Sequence, residues 1–238
     1  MASHKSILCI SDLHIPFEHP DSFEYLKAIK QKYKPETIVN LGDEVSLNAF
    51  SFHDKDGSEL FTPTTELEEC IERLQPYYKL FPKKMLCESN HGSLILRKAK
   101  FAKIPLHLLM SYQQILQSPK TWTWHNKIIL DLPRGQKVLF THGKAANTPK
   151  LSKNNGVNTV EGHYHTRCEL VYWKGELDPN PMFGMKVGCS IDNSAYDFNY
   201  NKTNVDDVIV NHAVIINGFP KLLPMPMNKK NRWNGEVP

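Results

Sequence analysis

The chain has 238 residues, 40% of them hydrophobic and 23% charged, enough apolar material for one large domain with a sizeable core. No run approaches the roughly 18 consecutive apolar residues a membrane helix requires, and the opening MASHKSILCI passes straight into a strand-like segment, so a spanning helix, a membrane partner and an export signal are not expected. The formal charge of +4 favours anionic ligands but falls short of the strongly basic balance of a dedicated nucleic-acid binder.

Five short apolar runs, at residues 7–10, 37–41, 85–87, 138–140 and 159–160, each lead directly into polar residues capable of chemistry. Such runs are the pattern of strands buried on both faces. Between the early ones lie helical signals. Asp21 and Glu24 form a capping-box-like start to a helix over 21–33, and Thr65 with Glu68 does the same for the next, whose Leu67, Cys70, Ile71 and Leu74 share one face. From residue 121 the pattern changes. WTWHNKIILDLPRGQKVLFTHG reads as two strand-like runs joined by a Pro-Arg-Gly turn, and the remainder to about residue 223 reads as short strands and turns with few helical signals. Helix-strand alternation followed by strands predicts a mixed sheet system with helices outside. The tail NKKNRWNGEVP is polar and basic and is expected to be loosely held, with Trp233 as its one anchor. Five cysteines, odd in number and without CxxC spacing, predict free thiols in a reducing compartment.

The chemistry lies in five small motifs at the ends of the runs: Asp12-Leu13-His14, Gly42-Asp43-Glu44, Asn90-His91-Gly92, Thr141-His142-Gly143 and Gly162-His163-Tyr164-His165. In open α/β sheets the ligand site lies beyond the carboxyl ends of the strands, so groups spread over about 150 residues can converge there. Asp, His and Asn offer oxygen and imidazole nitrogen, a donor set suited to Mn, Fe, Zn or Mg, and no thiolate accompanies them. In an extended segment residues i and i+2 face one side, so Asp12 with His14, and His163 with His165, can each grip one ion. Gly42 permits the tight turn that a bridging carboxylate at Asp43 requires.

The ordered set DxH, GD, NH, HG and GHxH resembles the calcineurin-like metallophosphoesterase superfamily over residues 7–166, and the compact, loop-rich pattern is similar to its phage-borne members. The resemblance implies an α/β fold with a two-sheet, β-sandwich-like core flanked by helices in four α/β/β/α layers. The single domain is expected over residues 1–223, with 224–238 as a C-terminal tail, in the cytoplasm of a cell or host. The resemblance further implies two divalent metal ions, Mn2+ first, with Fe, Zn, Mg, Ni or Co as alternatives. Asp12, His14 and His165 would hold the first, Asp43 would bridge both, and Asn90, His142 and His163 would hold the second, while His91 would act on the substrate phosphate. Two cations sharing Asp43 would supply a bridging hydroxide near neutral pH for in-line attack on a phosphate ester. His91 would stabilise the transition state or protonate the leaving oxygen. The chain departs from the family pattern at Ser89, where Gly is usual, and at Gly92, where an acidic residue is usual, so no group orienting His91 is apparent; Glu44 is the stand-in considered.

Substrate contacts are less sharply marked. Arg97, Lys144 and Arg167 follow the motifs and are placed to meet a phosphate, with a solvated surface charge as the even alternative for each. Trp122, Trp124 and Tyr164 offer faces for a base, although aromatics more often fill cores. Lys229, Lys230 and Arg232 read as a solvated tail before a nucleic-acid contact, and His53 as a loop residue or part of a substrate wall. His4, His19, His107, His125 and His212 fit no motif and are expected to be solvated or hydrogen-bonded. The leading expectation is a phosphomonoesterase acting on a nucleotide-type substrate such as a nucleoside monophosphate. The alternatives are a phosphodiesterase or DNA/RNA nuclease with the same centre, and a binding or scaffold protein that keeps the fold without catalysis. The oligomeric state is left open.

Overall fold

In β1 (Ser6–Ile10), Leu8 and Ile10 face one hydrophobic core and Ile7 and Cys9 face another, and all four are fully buried. A strand whose alternate side chains both enter apolar layers has no polar face to show, which is why the run reads as continuous. The computed structural model describes residues 3–52, 61–176, 179–192 and 207–238; His53, in the insert after the Asp43 motif, lies outside them.

On one side of β1 lie β2 (Thr37–Asn40), β3 (Lys84–Cys87) and β4 (Trp122–His125), successively parallel. On the other side β10 (Asn211–Ile216) and β11 (Phe219–Pro224) add antiparallel strands, giving the order β11-β10-β1-β2-β3-β4. The second sheet comprises β5 (Ile128–Asp131), β6 (Lys137–Thr141), β7 (Asn158–Glu161), β9 (Met182–Val187) and β8 (Cys168–Trp173), in that spatial order. Its centre, β6-β7-β9, is parallel and its edges are antiparallel.

The sheets meet through Ile7, Cys9, Val39, Ala213 and Ile215 on one side and Val138, Phe140, Val160, Met185 and Val187 on the other. The outer face of the first sheet is covered by α1 (Ser22–Tyr33) and α2 (Pro63–Leu80), which bury Tyr25, Leu26, Ile29, Cys70 and Leu74 there. Burying an aliphatic side chain of this size is worth about 1.5–3 kcal/mol relative to exposure. On the second sheet α5 (Thr148–Asn155), which follows the short helices α3 (Leu94–Phe101) and α4 (Tyr112–Ile115) in chain order, packs against β8 and β9. The α/β/β/α layering is thus present. Among the described residues, no helix is long and apolar enough to cross a membrane.

Several local expectations are corrected. The capping box of α2 is formed by Thr62 and Thr65, not Thr65 and Glu68, because Pro63 opens the helix one turn earlier. Asp21 stands at the cap of α1 but makes no side-chain cap bond. Its carboxylate instead accepts from Arg232 Nε (2.7 Å) and the Trp233 N–H (2.9 Å). The tail is therefore docked: Trp233 packs on Tyr25 with ring centroids 5.6 Å apart, and the Tyr33 hydroxyl donates to the Pro238 carbonyl at 2.5 Å. The segment after residue 121 holds three strands, β4, β5 and β6, with β4 in one sheet and the others in the second. Finally, α5 forms where strands and turns are expected, with Pro149 in its first turn and Gly156 just past its end, a helix signature short enough to be lost among turn residues.

Candidate metal centre

Because β1, β2 and β3 run parallel in one sheet and β6 and β7 in the other, the residues just past their C-terminal ends gather at one edge of the sandwich. The gathering is achieved by turns. His14, Asp43 and His163 have φ of 51°, 48° and 70°, so neither His-containing pair forms the extended i, i+2 clamp expected from spacing. Left-handed backbone at non-glycine residues is uncommon and concentrates at functional sites. The turns are supported: the His14 N–H donates to the Asp43 carbonyl (2.9 Å), the Ser46 N–H to the Ile15 carbonyl (2.9 Å), and the Tyr164 N–H to the Gly162 carbonyl (2.9 Å). Gly42, with φ of 104°, allows close approach as anticipated, since a Cβ there would lie 2.8 Å from His142 Nδ1. Gly162 is tighter still, its Cβ position falling 2.3 Å from Asp12 Oδ1.

Two groups of donors result, Asp12, His14, Asp43 and His165 in one, Asp43, His142 and His163 in the other, each with its ligand atoms within 4.8 Å of one another. Asp43 belongs to both. Its Oδ2 lies 3.1 Å from His142 Nε2 and 3.4 Å from His14 Nε2. Asp12 Oδ2 lies 3.2 Å from His165 Nε2 and accepts the His163 N–H at 2.6 Å. Asn90 Oδ1 is 2.6 Å from His142 Nε2 and joins the second group. Asp12 and Asp43 are 0% and 1% exposed, and Asp12 Oδ1 and Asp43 Oδ2 are buried oxygens without a hydrogen-bond donor. Carboxylate oxygens buried in this way are costly unless a positive charge answers them, so the donor set fits divalent cations.

The electrostatics agree. Burial outweighs the attraction of the neighbouring Asp43 carboxylate and drives His14 down to about 4, which keeps the imidazole neutral and able to ligate. Burial also lowers His163, with His142 adding to the effect. Burial presses Asp43 upward, but His142, His91 and His14 hold it well below the usual carboxylate range. At His142 burial opposes the charge, yet Asp43 and Asp12 raise the group to about 10, a measure of how strongly this pair of carboxylates attracts positive charge. His142 donates Nδ1–H to the Leu41 carbonyl (2.9 Å), which aims Nε2 at Asp43.

His91 sits at the edge of this cluster, its ring 4.6 Å from that of His14. Glu44 does not orient it: Glu44 accepts from Trp124 Nε1 (2.8 Å). The orienting group is the Ser46 carbonyl, which accepts from His91 Nδ1. Among the substrate candidates, Arg167 is engaged with the Ala146 carbonyl (2.8 Å) and Glu169 (3.7 Å), so it ties protein to protein. Lys144 has an exposed side chain on a backbone held by Glu161, and Arg97 is exposed with its guanidinium 5.6 Å from the Phe52 ring. Trp122 is fully buried and donates to the Phe81 carbonyl (2.7 Å), so neither it nor Trp124 is a free stacking face. Arg232 is bound to Asp21. Sequence reasoning missed Asn40, whose Oδ1 accepts the Gly42 N–H (2.8 Å) and shapes the turn that presents Asp43; a polar residue closing the run TIVN was the available signal. His212 is buried and accepts from the Ser11 N–H (3.3 Å), a structural histidine as expected.

A family model described as calcineurin-like phosphoesterase matches residues 5–211. No curated protein matches. Similar solved structures include vacuolar protein sorting 29 from Cryptosporidium parvum, 11% identical with a TM-score of 0.50, covering 100% of this chain and 96% of that one. They also include Vps29 from Chaetomium thermophilum, at 12% identity, TM-score 0.49 and coverage of 100% and 96%. YfcE, a phosphoesterase from E. coli, is 14% identical with a TM-score of 0.44 and 97% coverage of both chains.

Proposed function

The chain belongs to the calcineurin-like phosphoesterase family, and from that premise we propose that it is a divalent-metal-dependent phosphohydrolase acting on a nucleotide-type phosphate ester, in the first place a monoester such as a nucleoside monophosphate. The observation that carries this reading is the pair of donor groups sharing Asp43. Asp12, His14, Asp43 and His165 would hold one cation, and Asp43, Asn90, His142 and His163 the other. Such a pair, when bound, lowers the pKa of water and neutralises charge on phosphoryl oxygens.

The chain's own residues supply the rest. Asp43 keeps its negative charge, so both cations have a common anchor. His14 stays neutral and His142 is aimed by its bond to Leu41, so each presents nitrogen where a ligand is needed. His91 donates from Nδ1 to the Ser46 carbonyl, which leaves Nε2 as the nitrogen for the substrate. From there it would meet a phosphoryl oxygen or pass a proton to the leaving oxygen. Five free cysteines, four of them buried, support a reducing, cytoplasmic setting.

One observation favours a second reading, a phosphodiesterase or nuclease. Between Glu88 and Asp131 the sequence has no acidic residue, and α3 (Leu94–Phe101), which begins just after His91, carries Arg97, Lys98 and Lys100. A cationic strip beside the site suits a polyanion longer than one nucleotide.

Turnover of p-nitrophenyl phosphate and of its bis-ester with added Mn2+ separates the readings. Monoester preference supports the phosphatase and diester preference the nuclease. Two bound cations with no turnover of either, or of a panel of nucleotides and DNA, would mark a binding protein and overturn the catalytic reading.

A further inference from the structure

Lys186 interrupts the apolar strand MFGMKV and is 0% exposed, beside Glu161 at 1%. The two are register partners on β9 and β7, with Nζ and Oε2 3.6 Å apart. Replacing a buried ion pair with apolar residues is often neutral or stabilising, so stability alone is a weak account of its presence. Their remaining contacts fall on two loops, Glu161 on one and Lys186 on both. Glu161 Oε1 accepts the N–H groups of Lys144 (2.8 Å) and Ala145 (3.2 Å). Lys186 Nζ donates to the Ala145 carbonyl (2.6 Å) and lies 3.4 Å from the centre of the Tyr164 ring.

Those loops are residues 142–147, which begin with His142, and residues 162–167, which contain His163 and His165. Tyr164 stands between the latter two, its ring centroid 5.3 Å from that of His163. The loops are in contact where they carry the donors: a Cβ on Gly143 would lie 2.6 Å from His163 Cβ. The ammonium thus touches the backbone of one loop and the aromatic face of the other, while its carboxylate partner holds the first loop's N–H groups.

We infer that Lys186 and Glu161 are a positioning pair, a buried clamp that sets His142 against His163 and thereby the affinity of the second cation site. The inference rests on the metal reading above. The first site draws His165, and the His163 N–H that Asp12 accepts, from the clamped loops, but Asp12 and His14 themselves stand on the β1 loop outside these contacts; the second site draws both His142 and His163 from the clamped loops and should lose more, which a merely structural role would not require.

The test is Mn2+ titration of the full chain by calorimetry, with hydrogen exchange as a metal-free readout. The natural protein should bind two ions. Lys186→Met should weaken one site roughly 10- to 100-fold, the range for losing an outer-shell support, and the other severalfold less, and Lys186→Arg should restore most of the loss. The amides of Lys144 and Ala145 should exchange faster in Lys186→Met and Glu161→Gln, with β1 amides unchanged. If Lys186→Met does not fold, Glu161→Gln carries the same comparison. Equal weakening of both sites, or none, overturns the clamp. Failure of the natural protein itself to bind two ions overturns the metal reading, and the clamp falls with it.

Discussion

The backbone N–H of His91 donates to Asp43 Oδ1 at 3.1 Å, so the loop after β3 holds one oxygen of the shared carboxylate while the other faces His142 and His14. A side chain is thereby pinned by a main-chain group, and the imidazole of His91 is left free of that duty.

Asp43→Ala removes the one group common to both donor sets. Turnover should fall to background, and both cations should bind more weakly. Metal content measured beside activity checks this; a variant that remained fully active would show that the centre is misassigned.

His91→Ala keeps the amide that holds Asp43. Metal content should therefore stay close to that of the natural protein while kcat falls about 10²- to 10⁴-fold, the usual contribution of a positioned acid or base. Parallel loss of metal and rate would instead move His91 into the ligand set.

Gly162→Ala places a Cβ 2.3 Å from Asp12 Oδ1, and the clash can be relieved only by moving the Asp12 carboxylate or the loop that presents His163. Binding at the Asp12 side should be lost, with a destabilisation of about 1–3 kcal/mol as expected for overpacking. Metal titration and denaturant unfolding of the variant measure the two effects separately.

The docked tail gives a pH-dependent prediction. The hydrogen bond from Arg232 lowers Asp21 from 3.8 to about 2 against the opposing effect of burial, with the Trp233 N–H adding to the depression. A carboxylate depressed on folding contributes stability that is present above its unfolded pKa and disappears as pH falls through the folded value. The natural protein should thus exceed Asp21→Asn in urea midpoint at about pH 6, and the gap should close progressively below about pH 4. Trp233→Ala should cost about 1–2 kcal/mol at either pH, less than the 3–5 of a fully buried tryptophan.

Much of this architecture is legible in the residues. The apolar runs appear as strands because β1 is buried on both faces, and the polar residues that close them lie at one edge because the strands are parallel. What misleads is local. The Asp21-Glu24 pattern marks a real helix start, yet Asp21 is taken by Arg232, 211 residues away. Glu44 is the natural guess for orienting His91 because a carboxylate is visible as a residue type, whereas the Ser46 carbonyl that performs the task belongs to every residue and leaves no trace in a pattern of side chains.

By itself the sequence determined the donor types, their order and the strands that carry them, since periodicity and residue chemistry are local properties. Which sheet receives β4 and which β5, how left-handed turns at His14, Asp43 and His163 bring donors together without an extended clamp, and how Lys186 comes to lie beneath Tyr164 were decided only by tertiary structure. The physical reason is that pairing partners and buried contacts are selected by packing between segments far apart in the chain, where a one-residue change of register would send each side chain to the opposite face.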